Sequence, residues 1–349
     1  MKLRGYIWIV VSLFIGCKGE TNEENIRVDY QSPLGFSSDV LTRGLDDITT
    51  ETLAAMGVFT YYTGDADFNE TASPNYMYNL QYTRSASNYW ETSPPQYWPY
   101  TGKLSFFAYT PFTNATSGIT VPAPGYSTGM LTIRHTPNAT DLSAQCDFCV
   151  ATPIMNKERT SDAVHFRFFH TLTKVSFSGK YKGTLPSGAV LKVEKLSLKN
   201  VIGSMTLRMT DDAVPFLWDL TSVAPADYTT YTLSRSQKNE LFDLALPSEE
   251  VEPKGINLST LNGRLFLLPQ TLTGEARLEI TYLITAGGAD FQYTKEITLP
   301  VDPVWKAGKG VNYLFTIDVD DNLNSPIELT PAIVDWQDAG NHHDEETIK

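Results

Sequence analysis

The chain has 349 residues, a net charge of −13 and 19% charged residues. Length alone allows two domains. An acidic chain without basic runs excludes nucleic acid as a partner, since phosphate binding needs clustered Lys and Arg. Aromatics reach 12%, with 18 Tyr and 17 Phe, a mixture suited to pleated sheet surfaces.

The N-terminus reads MKLRGYIWIVVSLFIGCKGE. Its apolar run is too short to cross about 30 Å of hydrocarbon. Lys2 and Arg4 before it and Gly16 behind it fit an export signal over residues 1–16. The segment resembles a bacterial lipoprotein signal, which makes Cys17 the acylated first residue of the mature chain. KGETNEEN then suits a flexible tether. In IRVDY, Ile26, Val28 and Tyr30 share one face, as in a half-buried strand. QSPLGFSSDVLTRGLDD reads as a loop that presents Arg43-Gly44.

From LAAMGVFTYYTG onward, short apolar runs alternate with turn clusters. In ARLEITYLIT, Leu278, Ile280, Tyr282 and Ile284 alternate cleanly. No segment holds a helical apolar stripe long enough for a major helix. Many short strands with turn signals roughly every 8–12 residues predict β-sandwiches, so the chain is all-β. The domain boundary falls near Gly179 to Ser187, where KYKGTLPSG supplies Gly and Pro between strand-like runs.

Candidate chemistry is sparse. Cys146 and Cys149 in QCDFCV have no second pair for zinc and do not open a helix, so they read as a local disulfide or inert thiols. His165 and His170 are five residues apart, on opposite faces of a strand, and cannot share a metal. Neither GxSxG nor HExxH nor a phosphate-cradling loop occurs. Acidic pairs such as Asp46-Asp47 and Asp211-Asp212 read as solvated loop charge. No cofactor, metal or catalytic residue is expected. Trp90 and Trp98, with Tyr97 and Tyr100, form either a sugar-stacking platform or the cap of a sandwich core.

The lipoprotein-like start, TRGL, LAAMGVFTYYTG, YWPYTGKLSFFAYTP, FRFFHTLTKVSFS, WKAGKGVNYLFTIDV and the final TPAIVDW occur in one order along the chain. Together they resemble the fimbrillin family of Bacteroidota pili. The resemblance implies two transthyretin-like β-sandwich domains in tandem, at 44–182 and 183–349, behind a tether and propeptide strand at 17–43. It implies no enzymatic activity, export as a lipoprotein to the outer membrane, and cleavage between Arg43 and Gly44 by a trypsin-like surface protease. Partners are then the outer-membrane lipid through Cys17, the protease and other pilus subunits.

Ile26, Val28 and Tyr30 would fill a groove until the cut. Strand addition from the next subunit would then occupy the open edge. The donor would be PIELTPAIVDW, with Ile327, Leu329, Ile333, Val334 and Trp336 as anchors. The rival reading is a surface lipoprotein that binds glycans through Trp90 and Trp98. A weaker third is a hydrolase with an unrecognised carboxylate pair.

Overall fold

A computed structural model describes residues 26–41, 48–113, 117–234, 246–248, 254–255, 264–320 and 327–335. The described residues are all-β apart from three short 3-10 turns, at Leu142–Ala144, Leu220–Ser222 and Pro225–Asp227. Strand alternation explains the layering. In Ala55–Tyr62, Met56 and Val58 enter one core while Phe59 and Tyr61 enter another. The neighbouring strand Leu104–Thr110 divides in the same way, Leu104, Phe106 and Ala108 against Phe107 and Tyr109. Successive side chains leave a strand on opposite faces, so this sheet is a middle layer covered on both sides.

That sheet has eight strands. Phe36–Val40 forms one edge, followed by Val164–His170, Cys149–Ala151, Leu104–Thr110, Ala55–Tyr62, Met77–Arg84 and Trp90–Glu91, while Ile154–Lys157 pairs with Leu104–Thr110 off the main path. One face is covered by a four-stranded sheet of Ile119–Thr120, Thr132–His135, Met205–Met209 and Phe216–Asp219. On the other face, Trp98 of a two-stranded ribbon, Val28–Pro33 with Tyr97–Pro99, joins the core of Leu104, Phe106 and Ala108.

The C-terminal part packs two sheets around a separate core. One contains Thr173–Lys182, Lys309–Asp318 and Glu328–Asp335, with Lys254–Gly255 and Arg264–Leu267. The other orders Tyr228–Ser234, Val190–Ile202, Arg277–Ala286 and Ala289–Thr298. Leu278, Ile280, Tyr282 and Ile284 all point into this core, as their alternation requires. The hairpin of Arg277–Ala286 with Ala289–Thr298 turns on Gly287 and Gly288, both at positive φ, which a two-residue turn matching the strand twist demands. Trp305 is buried there and donates its indole N–H to Tyr313 Oη at 2.9 Å.

Two segments differ from the sequence reading. Residues 36–40, expected in a loop, are a strand. Leu34, Phe36, Ser38 and Val40 share one face, and pairing with Val164–His170 supplies what local alternation of FSSDV does not announce. Gly179, expected in a linker, sits inside Thr173–Lys182, paired throughout with Lys309–Asp318. A Cβ there would lie 2.5 Å from the Phe315 ring, so this glycine serves close packing rather than a break in the chain. Moreover, Met205–Met209 pairs with Thr132–His135, and a shared core joins Phe59, Phe107 and Phe148 to Met205, Leu207 and Phe266.

Candidate functional site

Two edge strands flank the site, one just before residues 42–47 and one that carries most of the expected donor segment. Phe36–Val40 lies parallel to Val164–His170, in register from Phe36 opposite Val164 to Val40 opposite Phe168. Leu34, Phe36 and Val40 are buried. The Phe36 ring stacks on Phe166 and meets Tyr82 and Phe106 edge-on at 4.8 and 5.8 Å. Ser38 Oγ accepts the Trp90 indole N–H at 3.2 Å. Full burial of such apolar side chains is worth about 1.5–3 kcal/mol each.

The polypeptide is clamped on both sides of residues 42–47. Val40 N–H donates to Thr50 Oγ1 at 3.1 Å, and Leu41 N–H donates to the Phe168 carbonyl at 3.1 Å. After them, Ile48 N–H donates to Asp147 Oδ2 at 3.2 Å. Upstream, Asp29 accepts from Ser32 Oγ, Gln31 N–H and Arg159 Nη1 at 2.8, 3.0 and 2.5 Å. The Ser32 hydroxyl and Gln31 amide hold its carboxyl below the ordinary range, with Arg159 adding to them.

The second edge is Glu328–Asp335, antiparallel to Lys309–Asp318 of the same chain. Ile327 is buried in the C-terminal core and Leu329 packs against it. Val334 is half-buried, while Ile333 is 59% exposed. Lys182 bridges Glu328 and Asp318 at 2.6 and 3.3 Å, and Glu328 is the larger cause of its raised pKa. The partner of the first edge, Val164–His170, runs through Thr171 and Leu172 into Thr173–Lys182, which pairs with Lys309–Asp318, the strand that bears the second edge.

Several expected site residues fall elsewhere. Cys17, Arg43, Gly44 and Trp336 lie outside the described residues. The Ile26, Val28 and Tyr30 face does not fill a groove: Ile26 and Val28 are half-buried, and Tyr30 is 77% exposed against the edge of Tyr97. Leu34, Phe36 and Val40 occupy the core instead, because the parallel pairing begins only at Phe36. Trp90 and Trp98 form no open platform, since both rings are buried in the sheet core, Trp98 edge-on to Phe106 at 5.8 Å. Among the described residues the exposed aromatics are Tyr30, Tyr89, Tyr100, Tyr126, Tyr228 and Phe291.

Cys146 and Cys149 are free thiols. Burial pushes the Cys146 thiol up to about 12, which keeps it protonated and unreactive. His165 faces outward to Ser37 Oγ at 2.9 Å, whereas His170 is buried, so the two occupy opposite faces as expected. Sequence reasoning missed Phe36, although Leu34, Phe36, Ser38 and Val40 at two-residue spacing already mark one face of a strand.

Comparison with known proteins adds to this geometry. The family model described as fimbrillin-like matches residues 42–336. The fimbrium subunit Fim1C of Phocaeicola vulgatus is 25% identical over 372 aligned residues, covering 92% of this chain and 93% of that protein. A crystal structure of a fimbrial protein from Bacteroides vulgatus superposes with a TM-score of 0.65 at 22% identity, over 86% of this chain and 99% of the other.

Proposed function

Because the chain belongs to the fimbrillin-like family, we propose that it is a structural subunit of a surface fimbria that matures by proteolysis and polymerises by strand exchange, serving cell adhesion. In this reading Cys17 carries lipid during export to the outer membrane. A trypsin-like protease at the cell surface then cuts between Arg43 and Gly44, and the subunit that joins the filament is made of residues 44–349, folded as two tandem transthyretin-like sandwiches.

The observation that carries the reading is the position of Phe36–Val40. It is an edge strand whose apolar face lies in the core, and it ends just before the segment that contains Arg43. A cut behind it would turn a covalent part of the sheet into a separable peptide. Its departure would bare the backbone of Val164–His170 and the pocket around Phe166, Tyr82 and Phe106. Such an edge is a template for another strand.

The C-terminal segment of a neighbouring subunit, with Ile327, Leu329, Ile333, Val334 and Trp336, is the proposed replacement. Within one chain that segment lies on an outer edge, from which it can be lent without dismantling a central pairing. A head-to-tail contact of this kind does not close on itself and so gives a filament.

The test is an Arg43→Ala chain expressed in its native cell. It should reach the surface but form no SDS-resistant ladders, whereas ladders of wild-type abundance would refute processing as the trigger.

A further inference from the structure

Behind the first edge, three side chains of different ligand chemistry converge in the interior. His170 Nδ1 lies 2.7 Å from Asp147 Oδ2 and 3.5 Å from Cys149 Sγ, and Cys149 Sγ lies 3.7 Å from Asp147 Oδ1. All three residues are buried. Local structure explains the meeting. Cys149 and His170 are directly opposite in the antiparallel pair of Cys149–Ala151 with Val164–His170. Asp147 stands two residues before Cys149, on the same side of an extended chain.

We propose that Asp147, Cys149 and His170 form a binding site for one divalent transition-metal ion of the zinc type. One nitrogen, one sulfur and one oxygen match the borderline-soft preference of that ion. Tetrahedral bonds of about 2.0 Å to N and O and 2.3 Å to S place ligand atoms roughly 3.3–3.6 Å apart. The Cys149 Sγ–His170 Nδ1 separation of 3.5 Å already matches this, and Cys149 Sγ lies 3.7 Å from Asp147 Oδ1, the carboxylate oxygen not bonded to His170. The Asp147 carboxylate must turn to present one oxygen, and the His170–Asp147 hydrogen bond must open by about half an ångström, as the metal replaces the shared proton.

Charge also favours the site. A divalent ion with one thiolate, one carboxylate and a neutral imidazole sums to zero, which lowers the cost of burying it. Binding releases the thiol proton and the proton between His170 and Asp147, and a water or small solute completes the fourth position. Asp147 also receives the Ile48 N–H, so the ion would sit at the anchor that follows residues 42–47. The site does not depend on the fimbrial reading.

The test uses the full chain in detergent with Cys17→Ser and Cys146→Ser, which leaves Cys149 as the sole thiol among the three cysteines. Titration with Co²⁺ should give a thiolate-to-cobalt charge-transfer band that saturates at one equivalent, with the visible bands of tetrahedral cobalt. His170→Gln in that background should abolish the band. Absence of the band, or its survival in His170→Gln, overturns the proposal. Should the serine variant misfold, zinc must raise the Tm of the wild-type chain relative to chelator, and an unchanged Tm overturns it equally.

Discussion

The ring of Phe36 lies on the ring of Phe166, centroids 5.2 Å apart and planes 19° from parallel. A side chain upstream of residues 42–47 thus completes an aromatic core built by strands downstream of them. Phe36→Ala leaves a cavity among Tyr82, Phe106 and Phe166 and should cost the uncut chain about 3–5 kcal/mol, read by denaturant unfolding. After a cut at Arg43 and loss of the peptide, the same substitution should change nothing. A stability difference that persists in the processed subunit would show that the strand stays in place.

The C-terminal edge separates folding from assembly. Ile327 is buried and Ile333 exposed. Ile327→Ala should lower subunit stability by about 2–5 kcal/mol. Ile333→Asp should shift it by less than about 0.5 kcal/mol and yet shorten the ladders on SDS gels. Equal ladders from Ile333→Asp and wild type would remove Ile333 from the donor surface.

Trp98 offers a third contrast. It is 1% exposed, so Trp98→Ala should destabilise the fold by about 3–5 kcal/mol. Any retention on polysaccharide gels should be unchanged per folded molecule. Loss of retention at unchanged stability would restore the sugar-platform role that burial of the ring argues against.

His135 makes stability depend on pH. It is 1% exposed, beside the Phe148 ring at 5.1 Å. Burial lowers its pKa to about 3, while the Gly118 backbone and the Asp147 carboxylate pull weakly the other way. The folded chain therefore keeps this imidazole neutral, whereas the unfolded chain takes up a proton near pH 6.5. Protonation favours the unfolded state as pH falls from about 6.5 toward 3, a loss of roughly 3 kcal/mol at pH 4. His135→Leu should flatten that part of the stability–pH curve in denaturant titrations. An unchanged slope would assign the acid sensitivity to other groups.

Much of the architecture is legible in the amino-acid order. Leu278, Ile280, Tyr282 and Ile284 announce their strand and its inner face, since a two-residue period admits no other secondary structure. Phe36–Val40 is less visible because its pairing partner, Val164–His170, lies more than a hundred residues away and polar Ser37, Ser38 and Asp39 dilute the pattern. Burial of Trp90 and Trp98 is less directly legible, because an aromatic pair at a sheet surface and one in a core share the same local sequence; the inward alternation of Leu104, Phe106 and Ala108 beside them favours the core. The trio of Asp147, Cys149 and His170 depends on register between two strands, which spacing within either strand does not determine.

Processing behind the edge strand Phe36–Val40 is the central claim, and the N-terminus of the chain taken from its native cell surface tests it most directly. Mass spectrometry should find a subunit that begins at Gly44 and lacks Phe36–Val40. A surface chain that still begins at an acylated Cys17 and runs intact through Arg43 would contradict it.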